Sequence, residues 1–239
     1  MSDKMFYAAG SRGHVNHGWL DTYHSFSFAG YHDSQRVHFG ALRVLNDDTV
    51  TGGMGFGKHP HDNMEIITIV LNGALEHKDS MGHARALHTG EVQVMSAGTG
   101  LMHSEYNHHP DKLVNFLQIW IFPNKRGIEP RYDQKAFTAE ERINKFQTLV
   151  APIDTEGAAL TIQQDAWIER INLQAGKTVD YTLHNKANGL YVFVIEGSTQ
   201  TDGQAVNKRD AISISNKETL VLEATADSDI LLIEVPMYV

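Results

Sequence analysis

The stretch "GFGKHPHDNMEI", residues 55–66, sets His59 and His61 two apart around Pro60 and follows them with Glu65. On an extended strand residues i and i+2 share a face. Both imidazoles can therefore enter one space, about 6 to 7 Å apart along the backbone, a gap that a metal ion with bonds near 2.1 Å bridges. A second stretch, "SAGTGLMHSEYNHH" (96–109), repeats the device with His103 and Glu105, preceded by Gly98 and Gly100, where the backbone can turn sharply. A lone His-x-His in a chain with 14 histidines is more often surface or hydrogen-bonded core than ligand. Two such pairs in glycine-rich β context favour a site of three histidines and one carboxylate. Imidazole and carboxylate without sulfur suit Fe(II), and also Mn, Co, Ni, Cu or Zn. Alternation puts Glu65 near the same face, and its reading as an acceptor that fixes a histidine tautomer stands ahead of direct ligation. His77, His83 and His88 are expected at the surface, and His108 and His109 in a loop before Pro110.

Outward from these motifs the chain reads as all-β. Runs such as HFGALRVL (38–45), EIITIVL (65–71), ALEHKD (74–79), EVQVMS (91–96) and NFLQIWIF (115–122) are short, rich in β-branched and aromatic residues, and bounded by glycine or polar turns. That is the pattern of a sandwich or barrel. Asn72-Gly73 between two of these runs predicts a type I′ hairpin. TAEERINKFQTLV (138–150) carries a capping box and predicts a helix of about three turns. The chain is divided there, into 1–135 and 136–239. ITIVLNGALE in the first half and VFVIEGSTQ in the second are alike, each followed by a further alternating strand (EVQVMS, AISIS), so two similar β-domains are expected. The histidines are not shared: 13 of 14 precede residue 121, and only His184 follows.

Composition narrows the chemistry. With 239 residues, 41% of them hydrophobic, the chain can bury a core, and the absence of cysteine removes disulfides, thiolate nucleophiles and sulfur-ligated metals together. A formal charge of −9, with 20 basic residues scattered among 29 acidic ones, argues against direct nucleic-acid binding. No long apolar run and no signal-like N-terminus is present, so a cytoplasmic protein with no membrane association is expected.

The residues also carry a family resemblance. The run from Gly53 through His59, His61 and Glu65 to Gly73 closely resembles the first cupin motif, and Gly90 to Asn107, with His103 and Asn107, resembles the second. Ser96 stands where the usual cupin proline would be, two extra residues precede His103, and Glu105 follows it. "HPH" with "SAGTGLMHSE" is similar to the pirin family, and RGHVNHGWLDTYHSFSFAGYHD (12–33) with LQIWIFP (117–123) resembles bacterial pirin-like quercetin 2,3-dioxygenases. The likeness is strongest through residue 133.

This resemblance implies a bicupin, two antiparallel jelly-roll-like β-barrels packed face to face with little helix, the final strands packing across the domains. It implies one divalent metal, Fe(II) first among the candidates, in the N-terminal barrel on His59, His61, His103 and Glu105. Glu65 is then left unligated. The roughly aligned Leu183 and Asn185 cannot build a second site, so the C-terminal domain is expected to be structural. It also implies a dioxygenase that opens the heterocyclic ring of a flavonol such as quercetin with O2 and releases carbon monoxide, with Glu105 as the base. Phe56 and Met64, flanking the histidines, are candidates to face a flat substrate or to pack in the core. Gln118 and Asn107 are candidates for the pocket or its support. The alternative from another class is a metal- or redox-sensing regulator that binds a transcription factor or a metabolic enzyme; a structural cupin with inert zinc is a third. Residues 10–21 are read as an arm over the barrel mouth ahead of a partner-facing segment, and a monomer is expected.

Overall fold

Strand follows strand through the computed structural model, which describes residues 3–157 and 159–238, with 59% of the residues in strands and 3% in helix. The first half contains β1 (Asp3–Tyr7), β2 (Gly13–Asn16), β3 (Leu20–His24), β4 (Leu42–Val50), β5 (Gly55–His61), β6 (Glu65–Asn72), β7 (Ala74–Asp79), β8 (Ala84–His88), β9 (Glu91–Ser96), β10 (Leu101–Asn107), β11 (Val114–Ile121) and β12 (Arg131–Ala136). The second contains β13 (Gln147–Pro152), β14 (Leu160–Ile162), β15 (Trp167–Leu173), β16 (Thr178–Thr182), β17 (Asn188–Glu196), β18 (Ser198–Thr201), β19 (Gln204–Asn207), β20 (Ala211–Ser215), β21 (Thr219–Ala224) and β22 (Ser228–Pro236).

These strands make two seven-stranded and two four-stranded sheets. The N-terminal pair has the orders β12-β9-β6-β11-β4-β3-β2 and β5-β10-β7-β8; the C-terminal pair has β1-β20-β17-β22-β15-β13-β14 and β16-β21-β18-β19. The orders repeat, as the internal likeness of the sequence predicts. Pairing crosses between the halves at the start of the chain, where β1 lines β20. At its end β22 lies inside the C-terminal sheet and touches the other half where the Ala41 N–H donates to the Pro236 carbonyl at 2.9 Å.

Period-two alternation explains the layering. Ile67, Ile69, Leu117 and Ile119 of the N-terminal large sheet face Phe193, Leu231 and Ile233 of the other, and this shared core holds the barrels face to face. The opposite face of each large sheet looks into its own barrel. In the C-terminal barrel that interior is filled by Val192, Val194, Leu220, Leu222 and Leu232. In the N-terminal barrel, matching positions in the strand registers hold Thr68 opposite Gln118, where the second barrel pairs Val192 with Leu232, and Glu105 opposite His77, where it pairs Leu222 with Thr201. One barrel is packed with aliphatic side chains. The other keeps a polar interior between two apolar clusters.

Two local expectations are corrected. Asn72-Gly73 is not a hairpin: β6 pairs with β9 and β11, whereas β7 pairs with β8 and β10. Only Gly73 of the two takes positive φ (87°), and the turn carries the chain from the large sheet to the small one. A Cβ at Gly73 would lie 2.7 Å from the Leu113 carbonyl oxygen, so close backbone approach demands glycine there. Gly197, with φ 85°, makes the same corner between β17 and β18. The helix expected over 138–150 is a 3-10 turn, Glu140–Arg142, followed by β13. Asn144 at φ 55° breaks the helical path, and pairing of β13 with β15 outweighs the local capping signal. Among the described residues no helix is long and apolar enough to cross a membrane.

Candidate metal centre

β5 and β10 run antiparallel, with His59 opposite His103 and Leu101 opposite His61. The register shifts between His103 and Glu105, which lies opposite Phe56, so β5 carries an extra residue near Gly57. The His59 Nδ1–H donates to the Gly57 carbonyl at 2.8 Å, which leaves its Nε2 lone pair free. Ring centroids of His59, His61 and His103 lie 4.4 to 4.8 Å apart, and their candidate ligand atoms all fall within 4.8 Å of one another. His103 Nε2 is buried with no hydrogen-bond partner. A buried nitrogen without a partner is costly unless something binds it. Burial, reinforced by repulsion among the rings, pushes the pKa of His61 and His103 down to about 3. Both are neutral at physiological pH, the form that ligates metals.

Glu105 sits at the inner side of this cluster. It forms with His77 and His103 a second group whose ligand atoms lie within 4.8 Å of one another, so His103 belongs to both groups. Burial raises the Glu105 pKa, opposed by His77 and by the Gln118 amide. Gln118 Nε2 donates to both carboxylate oxygens, at 3.2 and 3.0 Å, while the Thr68 hydroxyl donates to Gln118 Oε1 at 3.0 Å. A second buried carboxyl faces the same space: Asp48, hydrogen-bonded by the Thr22 hydroxyl, has its pKa pushed up to about 7 by burial, with Asp47 and Glu105 adding to the rise. The cavity between them, about 60 Å³, is lined by His59, His61, Glu105, Gln118, Asp48, Asn46 and the aromatic rings of Phe28, Phe56 and Trp120. This volume is room for a handful of water-sized groups, about four to six.

The structure brings His59, His61 and His103 together, sets Glu105 beside His103, and places Gln118 on Glu105. Phe56 is on the cavity wall, its ring meeting Trp19 edge-on at 5.4 Å. Met64 packs beside Ile66, Met95 and Leu101 in a neighbouring core cluster and does not line the cavity. Asn107 is a clamp: Nδ2 donates to the carbonyls of Val50 and Lys112 at 2.9 and 2.6 Å, and Oδ1 accepts from the His109 N–H at 3.0 Å. Glu65 is on the face of β6 opposite Thr68, where it accepts from Ser96 Oγ at 2.7 Å and from the Gln163 backbone. It therefore steadies the join between barrels and touches none of the histidines.

His77 overturns the expectation of exposure. It is fully buried, its Nδ1 lying 3.4 Å from His103 Nδ1. The alternation Leu75, His77, Asp79 along β7 is the sequence signal that points it inward. His83 is partly covered and hydrogen-bonded to Asp79, and His88 is exposed. Of the arm expected over residues 10–21, Gly13–Asn16 forms the edge strand β2, Arg12 is held against Asp47 at 3.2 Å with its side chain buried, and Trp19 meets Phe56 of the cavity wall; beyond it Phe28 meets Trp120 edge-on at 5.2 Å. In the second barrel His184 stacks on Trp167 at 4.6 Å and pairs with Glu234 at 3.1 Å, with no other histidine in that half to join it.

Comparison with known proteins agrees with this architecture. The Pirin family model matches residues 6–121, and the model of the quercetinase C-terminal cupin domain matches residues 149–235. A pirin-like protein of Caulobacter vibrioides is 39% identical over 222 residues, covering 93% of this chain and 95% of its own. The chain belongs to the pirin family. This pirin is also 40% identical, over 95% of its length and 96% of the relative's, to a quercetin 2,3-dioxygenase of Escherichia coli. Its fold matches the crystal structure of a bacterial pirin from Escherichia coli in complex with nickel(II), with TM-score 0.92 and 38% identity, covering 98% of this chain and 99% of that one.

Proposed function

We propose that this pirin is a metal-dependent dioxygenase that opens the heterocyclic ring of a flavonol such as quercetin, consuming O2 and releasing carbon monoxide. The observation that carries the proposal is the buried cluster of three imidazoles, with the unpartnered Nε2 of His103 among them, set beside the buried carboxyl of Glu105. A relative named quercetin 2,3-dioxygenase, 40% identical over nearly the whole chain, supports the substrate class.

In this reading His59, His61 and His103 hold a divalent ion and Glu105 is the fourth ligand. All four donors are nitrogen or oxygen, a set that suits Fe(II) and also Mn, Co, Ni, Cu or Zn, with Fe(II) put first by the family resemblance; the nickel(II) complex of the Escherichia coli pirin supports a divalent transition metal. When bound, the metal supplies a Lewis-acidic, redox-capable centre with coordination positions left over for substrate and O2. Glu105 takes the proton of the flavonol 3-hydroxyl. The two hydrogen bonds from Gln118 keep its oxygens aimed for this role. The aromatic walls, Phe28, Phe56 and Trp120, offer faces and edges to a flat ring and keep bulk water out. Both atoms of O2 end in the ester product, and one ring carbon leaves as CO.

The size of the cavity favours a second reading. Sites for drug-sized ligands run to about 300–1,000 Å³, so a flavonol does not fit the 60 Å³ space unless its walls rearrange. A metal-sensing protein that binds a regulatory or metabolic partner needs no such opening.

The test is quercetin consumption and CO release under air by protein reconstituted separately with Fe(II), Mn(II), Co(II), Ni(II), Cu(II) and Zn(II), with His103→Ala as control. Metal-dependent CO release that the variant lacks supports the dioxygenase. Tight metal binding without turnover under any ion rejects it in favour of the sensor.

A further inference from the structure

We infer that His77 and Asp79 set the tautomer of His103 and thereby present its Nε2 lone pair to the metal position. The inference rests on the metal reading proposed above. It concerns residues outside the ligand set.

Pairing of β7 with β10 puts His77 opposite Glu105 and Asp79 opposite His103. From the cluster a line of polar contacts runs along that pairing. His103 Nδ1 lies 3.4 Å from His77 Nδ1, and His77 Nε2 lies 3.3 Å from Asp79 Oδ2. The side chains of His77 and Asp79 have no solvent exposure, so water does not substitute for either contact. His83 Nδ1 adds a hydrogen bond to Asp79 Oδ2 at 2.8 Å. The Tyr132 ring stacks on both His77 and His83, with centroids 4.7 and 4.8 Å apart, and holds the two imidazoles in their planes.

The proton positions follow from donor and acceptor rules. Asp79 is surrounded by donors, because its other oxygen, Oδ1, accepts from the backbone N–H of Met81 at 2.9 Å and of His83 at 3.0 Å. A carboxylate in such a setting only accepts. His77 must therefore carry its proton on Nε2, which leaves Nδ1 as an acceptor. His103 must then carry its proton on Nδ1, donate it to His77, and keep Nε2 bare. That Nε2 is the buried nitrogen without a protein partner. Ligating histidines commonly donate their second N–H to a carboxylate or carbonyl; here a second imidazole stands between ligand and carboxylate.

The same geometry designs the test. In Asp79→Asn the two backbone N–H groups keep the amide oxygen at the Oδ1 position, so the NH2 group points at His77 and His83. His77 Nε2 then accepts, its proton moves to Nδ1, and His103 is driven to the Nε2–H tautomer that cannot ligate.

Wild type, Asp79→Asn and His77→Ala would be compared in two ways: the tautomer of His103 in metal-free protein by 15N-histidine NMR, and nickel(II) affinity by calorimetric titration. The expected result is an Nδ1–H tautomer for His103 in wild type, an Nε2–H tautomer in Asp79→Asn, and affinity about 10 to 100-fold weaker in both variants. An Nε2–H tautomer in the wild type overturns the inference, even if the variants fail to fold. So does unchanged tautomer and affinity in folded Asp79→Asn. Absence of nickel(II) binding by the wild type would instead count against the metal reading, and the NMR result would still judge the relay.

Discussion

Gln118 and Glu105 meet inside the N-terminal barrel, the one amide nitrogen of Gln118 reaching both carboxylate oxygens of Glu105, at 3.2 and 3.0 Å. Nothing of the kind exists at the matching pair in the second barrel, where the positions hold Leu232 and Leu222. Gln118→Leu keeps the volume roughly but removes the donor. Glu105 is then buried with fewer partners and free to turn, and nickel(II) affinity is expected to fall about 10 to 100-fold, as for other residues that orient a ligand. Calorimetric titration of the variant checks this, and unchanged affinity would mean that Gln118 does not orient Glu105.

Glu65 separates stability from metal binding. Its side chain accepts from Ser96 Oγ and the Gln163 backbone on the face of β6 turned away from the histidines. Removing it in Glu65→Ala leaves buried donors unpaired, at a cost of about 1–3 kcal/mol. Denaturant unfolding is expected to register that loss while nickel(II) affinity stays at the wild-type value. A variant with normal stability and weakened metal binding would return Glu65 to the metal site.

Asp48 makes the stability of the metal-free protein depend on pH. Burial raises its carboxyl from the ordinary value near 4 to about 7, so between those values the folded protein holds a proton there that the unfolded chain releases. The stabilisation is full below about pH 4 and is lost as the pH rises through about 7, where the buried charge must form. Asp48→Asn cannot ionise. Its stability relative to wild type is expected to increase between about pH 4 and pH 7 and to level off above that, read from urea midpoints of metal-free protein, and parallel profiles for the two would count against a buried, protonated Asp48.

The parts of the site legible in the sequence are those encoded within single strands. His59 with His61, and His103 with Glu105, are i, i+2 pairs, and alternation alone gives each pair a common face. The same rule misleads for Glu65, because Asn63 at φ 42° turns the chain from the small sheet to the large one and resets the alternation. The burial of His77 is hidden in the sequence for a related reason. Asn72-Gly73 has the local chemistry of a hairpin, and a hairpin would leave ALEHKD at an edge; the corner actually made there places β7 between β10 and β8, with His77 opposite Glu105.

By itself the sequence determined an all-β chain of two like halves, with the histidines confined to the first and without cysteine to offer a metal. Those properties follow from composition and from periodicity over a few residues. Tertiary structure alone decided which sheet each strand joins, that Glu65 faces away from the cluster while His77 faces into it, and that Asp48, Gln118 and Trp120 converge from β4 and β11 on one small cavity. Sheet partners are chosen by burial and hydrogen bonding between segments far apart in the chain, and no short stretch carries that information.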